Sequence, residues 1–304
     1  MKHTKLASAF LLTTTFVLSA CSGAKSAVDD AADLTSDLSP QPAMWVVSDA
    51  DSEITLYPTI HILPQGVTWQ TPEMTERLMA ADEVWFEIEP GSDSDPTLQQ
   101  YIMSKAMDPS SPLSEKLEPE LYAQLETQAA ALAIPVQAIA PMQPWMAGIT
   151  LGMMGLVKEG YDPASGVEMQ LTPMVEGKTV RSLETAQSQI EMLANLSPKV
   201  QIEFLRSSIE DMEEGKAMVD EMVKDWAVGD VDDLEEDLIQ ETKDESPELY
   251  DAMFVNRNKN WAKQIAAEME GSGTDFIAVG AGHLVGEDGV PQMLRDMGYK
   301  VNRL

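Results

Sequence analysis

Asp275-Phe276-Ile277-Ala278-Val279-Gly280-Ala281-Gly282-His283 reads as a short buried strand running straight into a glycine-flanked histidine. The chain has 304 residues and 3 histidines. His3 falls in a leader segment, which leaves His61 and His283. Both follow apolar β-type runs, Ile54-Thr55-Leu56-Tyr57 and Phe276-Ile277-Ala278-Val279. A strand end holds a side chain rigidly and still lets it reach a cleft, as ligand sites at strand C-termini do in α/β folds. Scarcity and context together predict that the two histidines meet at one site. The plainer alternative is that each is an ordinary core or surface residue.

The N-terminus carries Lys2 and Lys5, an apolar stretch from Leu6 to Leu18, and then Leu18-Ser19-Ala20-Cys21. So short a stretch is a signal peptide rather than a membrane span. It resembles a bacterial lipoprotein signal, whose cleavage leaves the cysteine as a lipidated N-terminus. Cys21 is the sole cysteine, which excludes an internal disulfide and a multi-thiolate metal site. Several acyl chains would give a stable membrane anchor. By resemblance to Gram-negative sorting, Ser22 after the cysteine favours the outer membrane, with the protein facing the periplasm. The net charge of −31 repels nucleic acid and anionic headgroups alike. Between Glu210 and Glu248 stand 17 acidic and 3 basic residues. That segment is either a cation- or base-attracting surface or simply a solvated helical face.

Residues 21–42 are poor in large apolar side chains and read as an acidic tether, so the folded domain is expected over 43–304. Met44-Trp45-Val46-Val47 and Ile54-Thr55-Leu56-Tyr57 flank Ser48 to Ser52 and predict an opening hairpin. Thr71 before Pro72 marks a helix start, with the helix running to about Ala81. Glu83 to Glu89 reads as a strand with Val84, Phe86 and Ile88 on one face and Glu83, Trp85, Glu87 and Glu89 on the other. The middle of the chain is largely helical: Leu121, Leu125, Ala129 and Leu132 share one helix face, and Pro144-Trp145-Met146 opens an apolar segment. Ser197-Pro198 and Ser246-Pro247 are further helix starts, the second carrying Leu249, Met253, Phe254, Trp261 and Ile265 inward. β-type runs at Lys178 to Leu183 and Tyr299 to Val301 complete the pattern. The fold class is therefore α/β, of the α+β kind: a mixed central sheet flanked by helices, with a mostly helical middle segment.

Five motifs in order, Leu56-Tyr57-Pro58-Thr59-Ile60-His61, Trp85-Phe86-Glu87-Ile88-Glu89, Leu183-Glu184-Thr185 with Gln189, Arg257-Asn258 ahead of Trp261, and Gly280-Ala281-Gly282-His283, resemble the TraB/PrgY/GumN family, which includes the Tiki metalloproteases. Gly160-Tyr161-Asp162 and Pro144-Trp145 look like further landmarks. The resemblance implies a fold like that of the erythromycin-esterase (EreA) and ChaN proteins, and a metal-dependent hydrolase acting on a peptide or protein substrate. It implies His61, His283 and Glu87 as ligands of a divalent metal (Mn, Co, Fe or Zn), and Glu87, Arg257 and Asn258 as catalytic or cleft residues. Glu87 is either a ligand or a general base on water. Pro58 stands where the family's first motif has glycine, which removes a backbone donor and fixes φ near −65°. Retention of both histidines and Glu87 favours a metallopeptidase, while Pro58 favours a non-catalytic peptide- or metal-binding lipoprotein on the same scaffold. A hydrolase of another small substrate is the third reading, because fold alone does not choose the chemistry.

Overall fold

The computed structural model describes Leu34, residues 38–210, Met212 and residues 215–304; the leader and Cys21 lie outside the described residues. The opening hairpin is present as β1 (Trp45–Ser48) and β2 (Ser52–Thr59), paired antiparallel. Its turn forms because the Asp49 carboxylate accepts from the N–H groups of Asp51 and Ser52, at 3.1 and 2.9 Å. β2 runs past the apolar stretch to take in Pro58 and Thr59. Pairing with β1 stops at Leu56, so Pro58 lies beyond β1's end, where a proline is tolerated. Its carbonyl accepts from Trp226 Nε1 at 3.1 Å.

Two short strands, β3 (Leu63–Pro64) and β5 (Tyr161–Asp162), pair with each other apart from the main sheet. The main sheet adds β4 (Glu83–Phe86), β6 (Thr179–Ser182), β7 (Gly273–Gly280) and β8 (Lys300–Arg303), in the order β6-β4-β7-β2-β1-β8. β6, β4, β7 and β2 are parallel, and β1 is antiparallel to both of its neighbours. The sheet is thus mixed, as expected. The strand over Glu83 to Glu89 is shorter than its pattern suggests: it ends at Phe86, and Glu87 lies just past it. Nor does it have an acidic face, since Val84, Trp85 and Phe86 are all buried while Glu89 is exposed. A parallel strand in a sheet interior is covered on both sides, so alternation fails there.

Helices cover the sheet and fill the middle of the chain. α1 (Pro72–Ala80) starts where Thr71 accepts from the Met74 N–H, with proline in the first turn. α2 (Pro96–Ala106), α3 (Pro119–Ala131), α4 (Pro144–Lys158), α5 (Ala186–Ala194), α6 (Pro198–Glu210) and α7 (Gly215–Val228) follow. Leu121, Leu125 and Ala129 of α3 pack with Leu151 of α4 and Leu205 and Ile209 of α6 in a satellite core.

The segment after Ser246 has a feature its periodicity does not disclose. One helical turn (Pro247–Tyr250) leads into a π turn (Asp251–Val255) before α8 (Asn256–Glu268). Leu249, Met253, Phe254, Trp261 and Ile265 are all buried, as their spacing predicts. The π turn inserts one residue into the helical count, and Arg257 and Asn258 share the buried face with Trp261. α9 (Val290–Asp296) leads back to β8.

Candidate functional site

β7 ends at Gly280, and the turn Ala281–His283 brings His283 under α8. The ring is fully buried, 4.3 Å from Trp261 and 5.2 Å from Phe254 between centroids. Its hydrogen bonds fix its state. Asn258 Nδ2 donates to the Asp288 carbonyl at 2.8 Å, which turns Asn258 Oδ1 towards His283 Nδ1 at 2.6 Å. Arg257 Nη1 lies 2.9 Å from Nε2. Because Oδ1 is an acceptor and a guanidinium is donor-only, Nδ1 carries the proton and Nε2 offers its lone pair. Burial holds the His283 pKa well below the usual imidazole range, with the charges of Arg257 and His61 adding to it. The ring is therefore neutral.

Arg257 binds more than the histidine. Its Nη2 donates to Glu87 Oε2 at 2.6 Å, Nε donates to Glu184 Oε1 at 2.9 Å, and Nη2 also reaches Glu184. Glu87, just past β4, accepts from the Gly280 N–H at 2.8 Å and from Gln189 Nε2 at 3.1 Å. Three donors directed at one carboxylate favour its ionised form. Burial pushes the Glu87 pKa up, and Arg257, His61 and the Gly280 N–H oppose that without cancelling it. Burial disfavours the charged form of Arg257 too, but Glu184 and Glu87 outweigh it and raise its pKa. Glu87 Oε1 stands 3.9 Å from His283 Nε2.

His61 sits on the neighbouring strand's extension. The register Thr59↔Gly280 puts both histidine turns at the same rim of the sheet, and the charge of His61 is felt at both Glu87 and His283. Its Nδ1 is directed elsewhere, 2.6 Å from Glu168 Oε1, an oxygen that the Thr59 hydroxyl also meets. The 160–168 segment is tied to this place. β5 pairs with β3 directly after His61, Gln65 donates to Asp162 at 2.8 Å, and the Val167 N–H donates to the Ile60 carbonyl at 2.9 Å. Gly166 lies so close to the His61 carbonyl that a methyl group there would overlap it. Gly166→Ala is accordingly expected to lower the unfolding free energy by about 1–3 kcal/mol, the range for overpacking. Denaturant titration reading an unchanged midpoint would show that the loop moves aside freely.

The sequence-predicted residues Glu87, Arg257, Asn258 and His283 thus form one hydrogen-bonded cluster, with Glu184 and Gln189 of the third motif inside it. His61 lies at the same rim with Glu168, which sequence reasoning did not single out. The signal that could have found Glu168 is its position six residues beyond the Gly160-Tyr161-Asp162 landmark, behind Gly166. Among the described residues, no three His, Cys, Asp or Glu side chains are gathered tightly enough to hold a metal ion. The donor chemistry nevertheless fits a divalent cation. A neutral imidazole offers Nε2, its other nitrogen is held by a hydrogen-bond partner as in metal-ligating histidines, and a carboxylate lies beside it. Arg257 is the cation that these two donors share.

A profile of the TraB/PrgY/gumN family matches residues 43–303, and the chain belongs to that family. Among curated proteins it is similar to the uncharacterized protein YbaP of Escherichia coli K12, 26% identical over 185 residues, covering 60% of this chain and 68% of YbaP. The YbaP of Shigella flexneri matches to the same extent. No solved structure matches the chain significantly.

Proposed function

We propose that this family member is a metal-dependent hydrolase of peptides or proteins in the cell envelope, with His61, His283 and Glu87 holding a divalent Mn, Co, Fe or Zn ion. The observation that carries the reading is the shared cation: the Nε2 of neutral His283 and the Glu87 carboxylate both turn towards one positive charge in a buried site. When bound, such a metal supplies a Lewis acid that polarises a scissile carbonyl and acidifies water. The chain's own groups prepare for this. Asn258 fixes the His283 tautomer, Trp261 and Phe254 set its ring plane and keep water from its faces, and Gly280 orients Glu87. Glu184 gives Arg257 a second anion, so the guanidinium does not depend on the two metal donors alone. The competing reading, a non-catalytic peptide- or metal-binding lipoprotein on this scaffold, draws support for its peptide-binding form from the same guanidinium, because it occupies both donors.

The test is to purify residues 41–304, load them with each of the four metals, and follow cleavage of a peptide library with and without a chelator. About one bound ion per chain and chelator-sensitive cleavage are expected. A bound ion without cleavage would favour the binding module, and no bound ion would end both metal readings.

The chain is also proposed to be anchored by lipid at Cys21, as the signal pattern implies, and to face the periplasm from the outer membrane. Among the described residues no helix is long and apolar enough to cross a membrane. Cys21→Ala is expected to leave the protein unprocessed as a lipoprotein; an unmodified mature N-terminus elsewhere, read by mass spectrometry, would refute the anchor.

A further inference from the structure

We propose that Glu168 is the positioning residue of His61: with Thr59, it holds the His61 Nδ1–H and so turns Nε2 towards the site, the counterpart of what Asn258 does for His283. As far as it concerns a metal, this rests on the reading above.

The geometry is built from both sides. Glu168 Oε1 is 2.6 Å from His61 Nδ1 and also meets the Thr59 hydroxyl. A carboxylate has no proton to give, so the Thr59 hydroxyl donates to it, and a ring nitrogen this close to it is the proton-bearing one of a charge contact. The backbone leaves the carboxylate little freedom to turn away. Val167 N–H is bonded to the Ile60 carbonyl, and Gly166 is pressed on the carbonyl of His61 itself. The cluster around His283 makes no use of Glu168. A carboxylate behind a ligating imidazole fixes the ring's tautomer and orientation and raises its basicity, and its loss typically weakens metal binding 10–100-fold.

His61 and His283 are the histidines of residues 41–304, so imidazole nitrogen resonances can be assigned with His283→Ala. Long-range proton–nitrogen spectra of the metal-free domain, at a pH where His61 is neutral, are expected to show the Nδ1–H tautomer in the wild type. Glu168→Leu should shift His61 towards Nε2–H, and Glu168→Gln, whose amide oxygen still accepts, should retain Nδ1–H. Calorimetry with Zn²⁺ should read 10–100-fold weaker binding in Glu168→Leu and partial recovery in Glu168→Gln. A wild-type His61 in the Nε2–H form overturns the proposal without recourse to any variant, as does an unchanged tautomer or Zn²⁺ affinity in folded Glu168→Leu. If wild-type protein binds no Zn²⁺ but the tautomer responds as described, the metal reading fails and the positioning role stands.

Discussion

Arg257→Met is expected to lower the unfolding free energy of the metal-free domain at neutral pH by about 3–5 kcal/mol, the range for removing one partner of a buried ion pair. The variant keeps the length and much of the apolar volume that lies over Trp261. It strips Glu87 of its strongest donor, Glu184 of its cation and His283 Nε2 of its hydrogen-bond donor. The deficit should shrink as pH falls. A carboxyl whose folded pKa is raised contributes stability that is complete below its unfolded pKa and is lost as pH rises through the folded one. Glu87 is such a group, and removing Arg257 removes the chief force pulling its pKa down. His283 has the same sign in this comparison, because its depressed pKa weakens the wild type in acid and Arg257 is one cause of that depression. Glu87→Gln added to Arg257→Met should cost much less than the two changes alone would sum to, because they act on one network. Chemical denaturation across the acid-to-neutral range reads all of this; a small, pH-independent deficit would mean that water stabilises Glu87 and that the cluster is open.

The second large effect is on chemistry. On the proposed metallopeptidase reading, Glu87→Gln is expected to lower peptide hydrolysis by roughly two to four orders of magnitude and, with Glu87 as a ligand, to lower metal content with it. The amide oxygen can still accept from the Gly280 N–H, but the amide nitrogen then opposes the donor Arg257 Nη2, which stands 2.6 Å from Oε2. Retained metal with the same loss of rate would make Glu87 the general base. Metal content measured beside the rate therefore separates the two roles, and unchanged values of both would remove Glu87 from the site.

Much of this was legible because the signals were local. The run Phe276 to Val279 into Gly280 is a strand and a turn in any reading, and it delivers His283 as expected. The capping at Thr71 and the inward residues Leu249, Met253, Phe254, Trp261 and Ile265 follow from spacing of the same kind. The end of β4 was not legible. It stops at Phe86 opposite Ser182, the last residue of β6, although β7 on its other side runs on to Gly280, and the alternation of Glu83 to Glu89 says nothing about neighbours. The π turn escaped because a single inserted residue changes the period over just five positions. Glu168 escaped for a different reason: its partners Thr59 and His61 lie far back in the chain, and the residues around it, Gly166-Val167-Glu168-Met169, carry no periodic pattern. Pro58, whose missing N–H and fixed φ count against the first motif in the sequence, is accommodated in β2 opposite Val279.

The adjacency of β2 and β7 at the centre of the sheet also governs when the site can exist. Gly280, whose N–H orients Glu87, lies 193 residues beyond it. Entropy of closing so large a loop grows only logarithmically with its length, but contacts this distant in sequence form slowly. During synthesis, a chain emerging N-terminus first presents His61 and Glu168 long before Arg257 and His283. An incomplete chain therefore carries one imidazole and its carboxylate but lacks the second half of the site, and whatever reactivity the finished protein has is withheld until its last strands have joined the sheet.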